Sequence, residues 1–146
     1  MIKIEDLKIG QEVYYVRYPL DEPVEYGKVE KFRKARDLDG SLYDYPYIDW
    51  ESFVDENGNV IRDSYGNSGV QSERLFDNPK DAYKYIEDYK AKHRKNLESE
   101  ITDVKSLLLF PLKNSFDSEY SSCWIEKDVY IKKAKELLGI DLEKDK

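Results

Sequence analysis

The stretch VEYGKVEKFRKARDLDGSLYDYPYI, residues 24–48, decides the fold. Its first part, residues 24–34, is rich in β-branched and aromatic residues, which suit a pleated, half-buried surface. Asp39-Gly40 then supplies a turn signal, and residues 42–48 return as a second strand, so residues 24–48 predict a β-hairpin. Gly27, inside the first strand, marks a bulge or a close approach of backbones. Upstream, Lys8-Ile9-Gly10 turns the chain into QEVYYVRY, residues 11–18, another strand. Downstream, Phe53-Val54 and Val60-Ile61 flank Glu56-Asn57-Gly58-Asn59 and make a second hairpin, and residues 70–76 close the set. Five or six short strands with such frequent turn signals predict a small barrel or curled antiparallel sheet over residues 1–76.

Residues 77–146 have a different texture. Asn78-Pro79 places a cap residue before a proline at the first helical position. Ala82, Ile86, Tyr89, His93, Leu97, Ile101, Val104 and Leu108 then recur at gaps of three and four, one stripe of a long amphipathic helix that Pro111 ends, with a kink expected near residues 96–99. A C-terminal helix is expected from Cys123 to Leu138, burying Trp124, Ile131, Ala134 and Leu138. Gly139 serves as its left-handed cap, and a frayed tail follows at residues 141–146. A β-rich front and a helical back predict an α+β protein.

The chain has 146 residues, with 24 Lys+Arg against 31 Asp+Glu and a net charge of −7, six units of it in residues 1–76. A mean hydropathy of −0.81 and the lack of a long apolar run argue against a membrane-spanning protein. The opening MIKIEDLKIG has no apolar signal-peptide core, so a cytoplasmic location is expected. A single Cys and a single His exclude an internal disulfide and a Cys/His zinc site built by one chain.

Leu7-Lys8-Ile9-Gly10-Gln11-Glu12-Val13-Tyr14-Tyr15-Val16, followed by Tyr26-Gly27-Lys28-Val29-Glu30-Lys31-Phe32, resembles the first strands of SH3-like barrels, in which an entry with Gly and Val-Tyr precedes a Gly-Lys-Val strand. It looks like the front end of small accessory proteins encoded by phages and mobile elements of Gram-positive bacteria. The resemblance covers about a quarter of the chain and implies a fold, since such barrels bind peptides, RNA, DNA and protein surfaces alike. It carries over no active-site residue.

Two surfaces compete as binding sites. Lys28, Lys31, Arg33, Lys34 and Arg36 form the densest positive charge, and Tyr43, Tyr45 and Tyr47 alternate on one face of the next strand. Cations for phosphates beside rings for bases is the pattern of a single-stranded nucleic-acid site. The other surface lies in the run from Asp37 to Asp63, where eight carboxylates meet one cation, Arg62. There Tyr43, Asp44, Tyr45, Tyr47, Asp49, Trp50, Glu51 and Phe53 interleave charge with aromatic anchors, which suits a protein partner with a basic face. Both patterns also have plain structural roles, as the half-buried face of a sheet and as a solvated surface.

Catalytic patterns are weak. A calcium loop starting at Asp55 would want Gly sixth and Glu twelfth, where Val60 and Gly66 stand. Asp49-x-Glu51 lacks the lysine of a metal-dependent nuclease, having Phe53 in its place. Gly66-Asn67-Ser68-Gly69 lacks the Lys of a phosphate loop and reads as a turn, and His93 sits on a helix stripe rather than beside Cys123. The expectation is therefore a non-enzymatic binding protein with no metal or cofactor. It would act through the acidic aromatic surface on a protein partner, and the resemblance implies a nucleic-acid-handling host or defence protein as the target. The alternative is nucleic-acid binding through the basic strand and the tyrosines. A homodimer seam along Leu97, Ile101, Val104 and Leu108 is a further expectation for the long helix.

Overall fold

A computed structural model describes residues 1–20, 23–70, 74–114 and 123–143, with only the backbone of Cys123. Residues 71–73 of the expected strand 70–76, residues 144–146 of the tail and the thiol of Cys123 lie outside the described residues. The chain divides into two units, Met1–Ile86 and Glu87–Lys146.

The first unit is one antiparallel sheet: β1 (Glu12–Tyr15), β2 (Val24–Arg36), β3 (Leu42–Val54), β4 (Val60–Asp63), β5 (Asn67–Gly69) and β6 (Leu75–Phe76). The spatial order is β4-β3-β2-β1-β6, with β5 also paired to β3. The fold is α+β, but the sheet stays open and does not close into a barrel, so of the two expected forms the barrel is absent and the antiparallel sheet is present. The central hairpin β2–β3 is built as its sequence predicts, and the Asp39-Gly40 turn places Gly40 at φ +86°. The second hairpin is present too: Asp55 Oδ1 accepts the amides of Asn57 and Asn59, both at 2.9 Å. Residues 66–69 do more than turn, since after Gly66 they pair with Tyr47–Asp49 as β5.

Both faces of the sheet are buried. Val13 and Tyr15 of β1 pack with Val29, Ile48, Trp50 and Leu75 on one face. Tyr14 and Val16 go to the other, with Val24, Val54 and Phe76, which is the period-two alternation of a strand. On β3, Trp50 and Val54 are four apart yet lie in opposite clusters. The register shift beside Gly27 explains this, because Glu51 is an extra residue there and flips the parity of everything beyond it. Ala82 and Ile86 of the first helix belong to the second cluster. The division between units therefore falls inside that helix, at Ile86/Glu87, rather than after residue 76.

Helix α1 (Pro79–Glu100) starts where expected, with Asn78 Oδ1 accepting the Asp81 amide at 2.9 Å. The long helix is not continuous to residue 110. It stops at Glu100, and α2 (Val104–Lys113) begins afresh from a capping box in which Asp103 and Ser106 each bond the other's backbone amide. The break thus lies at residues 101–103, beyond the expected kink, because Thr102-Asp103 offers the backbone a better partner than another helical turn. Pro111 does not end the helix either; it sits in the last turn of α2, where its missing N–H costs a single bond.

The break resets the helical phase. Leu97 and Ile101 are buried, and so are Leu107 and Phe110, while Val104 and Leu108 (64% exposed) face out. The seam expected along Leu97, Ile101, Val104 and Leu108 is thereby divided between core and surface. Helix α3 (Cys123–Leu138) has the expected bounds and the expected cap, with Gly139 at φ +67°. Its buried face is Ile125, Val129 and Ala134, however, so Trp124 (47% exposed) and Leu138 lie outside and Ile131 is only partly covered. Three pairs tie α1 to α3 along their length: His93 to Glu126 at 3.1 Å, Arg94 to Asp128, and Lys132 to Glu98 at 2.9 Å. Among the described residues no helix is long and apolar enough to cross a membrane.

Candidate binding surface

The two strands of the central hairpin are each 13 residues long, but their neighbours are short. Strand β1 reaches β2 only from Glu25 to Lys28, and β5 reaches β3 only from Tyr47 to Asp49. Residues 31–36 and 42–45 consequently pair with each other and with no other strand among the described residues. This length of hairpin is a two-stranded ribbon standing beyond the sheet.

Register assigns its two faces, since directly opposed residues share a side. On one face Lys31 stands opposite Tyr47, Arg33 opposite Tyr45 and Ala35 opposite Tyr43. The Arg33 guanidinium lies 4.0 Å from the centre of the Tyr47 ring, and the Lys31 ammonium lies 5.2 Å from it. Tyr43 and Tyr45 are tilted against each other at 6.5 Å. Tyr45 also lies over Gly69, where any Cβ would come closer than 3.0 Å to its ring. Lys28, lower on the same strand, opposes Asp49 and reaches Glu51 at 3.8 Å. Phe53 is covered by Arg62, 4.3 Å above its ring.

The opposite face carries Phe32 against Pro46, Lys34 against Asp44 and Arg36 against Leu42. Arg36 also donates to the Gly40 carbonyl at 3.3 Å, which ties it to the turn. The expected basic cluster is therefore split: Lys31 and Arg33 join the tyrosines, while Lys34 and Arg36 point away from them.

The acidic aromatic surface is likewise divided. Tyr43, Tyr45 and Tyr47 share one side, and Asp44 faces the other. Trp50 is not a surface anchor. It is 5% exposed, stacks on Tyr15 at 5.6 Å and donates its ring N–H to Ser68 Oγ at 2.6 Å. The parity of β3 sends it into the core. Asp37 and Asp39 bind their own loop, accepting the amides of Leu38 and Ser41 at 2.8 Å each. The Ser41 hydroxyl and amide together hold the Asp39 carboxyl below the usual carboxylate range. The bonds that shape the β3–β4 turn, chiefly from the Asn59 amide, do the same to Asp55.

Two features escaped the sequence. Leu38, at the tip between Asp37 and Asp39, is fully exposed, and Leu42 and Tyr43 beside it are exposed as well. The available signal was a leucine set inside a turn of acidic residues, where no folding role needs one. The second is Glu25, buried at 4% and paired with Arg17 at 3.0 Å, whose guanidinium lies over Tyr15 and Trp50.

Among the described residues no three His, Cys, Asp or Glu side chains gather as a metal site. Comparison with known proteins found no matching family model, no matching curated protein and no matching solved structure.

Proposed function

We propose that this chain is a non-enzymatic binding protein that grips another protein with the ribbon of residues 31–45. The observation that carries this is the tip: Leu38, Leu42 and Tyr43 are exposed together at the end of a ribbon that no other strand of the sheet pairs with. Burying one such leucine in a partner's pocket is worth about 1.5–3 kcal/mol, the scale at which a few residues dominate an interface. Asp37 and Asp39 flank the leucine and steer it toward a basic surface. Tyr45 and Tyr47 extend the same face down the ribbon toward Asp49.

The test is affinity capture on the full chain. A bacterial protein retained by the wild type is expected to be lost with Leu38→Ser/Leu42→Ser at unchanged melting temperature. Equal retention by the variant would refute the tip as the contact.

A second reading is favoured by the shared face of Lys31, Arg33 and the tyrosines, because a two-stranded ribbon fits the major groove of DNA and aromatic rings stack on bases. Four carboxylates (Glu30, Asp37, Asp39, Asp44) offset the four cations of the ribbon, and Arg33 and Lys31 already cover Tyr47. Fluorescence anisotropy of labelled single strands, duplex and RNA over a salt series separates the two. Binding that falls steeply with salt and vanishes with Arg33→Glu supports nucleic acid.

A further inference from the structure

The second face of the ribbon borders a cleft of about 610 Å³, lined by Ile4, Glu5, Leu7, Phe32 and Asp44. Its floor is firm, since Leu7 is buried in the sheet's core and Phe32 packs against that core. Its rim carries two carboxylates, Glu5 from the 3-10 turn Ile4–Asp6 and Asp44 from β3. Neither makes a hydrogen bond or ion pair among the described residues, although both are exposed. Lys34 stands opposite Asp44 in register and shares its face with Arg36, but neither cation is ion-paired to a rim carboxylate, so Glu5 and Asp44 stay open to a cation from outside.

We infer that this cleft receives a basic side chain, arginine or lysine, from the protein partner that the ribbon grips; the inference rests on that proposed function. The shape and charge select this chemistry. An arginine or lysine can lay its aliphatic stem on Ile4, Leu7 and Phe32 while its cationic head meets the carboxylates. A purely apolar side chain would strip water from two charged groups without replacing it. An anionic one would meet like charge on the rim. A volume within the range of small-molecule sites leaves room for the whole side chain. Asp44 adjoins Tyr43 and Leu42 in the chain, so a partner seated on the tip reaches the cleft with the same surface.

The test uses the full chain, labelled with ¹⁵N, titrated with the peptide acetyl-Gly-Arg-Gly-Arg-Gly-amide and with its citrulline counterpart, which keeps the shape and loses the charge. The arginine peptide is expected to give saturable shifts at the amides of Glu5, Leu7, Phe32 and Asp44. The citrulline peptide, and the Glu5→Gln/Asp44→Asn variant, are expected to weaken binding at least tenfold with no change in melting temperature. Equal binding of both peptides, an unaffected double variant, or shifts centred on other acidic residues such as Asp63 would each overturn the cleft. The tip variant Leu38→Ser/Leu42→Ser keeps the outcomes apart. Peptide binding that survives it while partner capture does not is expected. Capture that depends on the tip while peptide binding ignores the cleft removes the cleft alone, and peptide binding at the cleft beside capture indifferent to the tip removes the ribbon alone.

Discussion

Gly27→Ala adds one carbon at the place where β1, β2 and β3 run side by side, with Gly27 facing Val13 on one flank and Trp50 on the other. That carbon would sit closer than 3.0 Å to three atoms: the Asp49 carbonyl oxygen, Cγ2 of Ile48 and Cε3 of Trp50. Two of these belong to buried side chains and the third to backbone, so no change of rotamer makes room and the strands themselves must part. Overpacking of a core costs about 1–3 kcal/mol, and a backbone contact places this one near about 3. For a unit the size of Met1–Ile86, with a melting temperature that moves roughly 4–8 °C per kcal/mol, the loss amounts to roughly 12–24 °C. Differential scanning calorimetry and urea unfolding followed by circular dichroism measure it. Gly10→Ala is the control. Gly10 has φ +84° and open space around it, so alanine there incurs only the left-handed backbone penalty of about 1–2 kcal/mol. A Gly27→Ala protein within about 0.5 kcal/mol of wild type would refute the close-approach account.

Trp50→Ala removes a buried ring and leaves a cavity beneath Tyr15, so a loss of about 3–5 kcal/mol is expected in urea unfolding; an unchanged midpoint would return Trp50 to the surface. Phe110→Ala, which removes the stack on Tyr130 at 6.1 Å, is expected to cost about 3–5 kcal/mol and to lower the calorimetric transition of the helical unit while leaving that of the sheet in place. The bonds from the Ser106 amide and hydroxyl hold the Asp103 carboxyl below the usual carboxylate range, so the cap stabilises fully above that range and is lost as pH falls through the lowered value. Helical circular dichroism over an acid titration should show Asp103→Ala weaker than wild type at neutral pH and the two converging as pH falls through the lowered value. Asp103→Asn should stay capped and lose the acid sensitivity, and identical titrations for all three proteins would dismiss the capping box.

The hairpins were legible because turn chemistry is local: Asp39-Gly40 and Asn57-Gly58 state where the chain reverses, whatever surrounds them. Gly27 was legible as a close approach for the same reason, a gap in an otherwise bulky strand. What the sequence hid was parity. A bulge moves each later side chain to the other face, and nothing in the letters around Glu51 announces an extra residue, so the split of Trp50 and Val54 between two clusters was hidden; Trp50 itself, three residues from Tyr47, already alternates into the core. The helical stripe failed in the same way, since Val104 and Leu108 continue the spacing of Leu97 and Ile101 across a break that the Asp103/Ser106 capping box imposes. The candidate surface was half legible. Lys31, Arg33 and the three tyrosines do share a face, but the exposed tip has no periodic signature, and the cleft depends on residues nearly forty positions apart in the chain.

The placement of the two tryptophans has a practical consequence. Each unit contains one: Trp50 inside the sheet, sealed by Tyr15 and Arg17, and Trp124 half in water beside the Arg94 guanidinium. A shielded indole emits to the blue of a wet one, so the native emission is the sum of two colours, each belonging to a different unit. Unfolding the sheet shifts only the blue component to the red, and disturbing the helices changes chiefly the red one. A ligand or perturbation that alters the surroundings of either indole can therefore be assigned to its unit by light alone, with no dye attached.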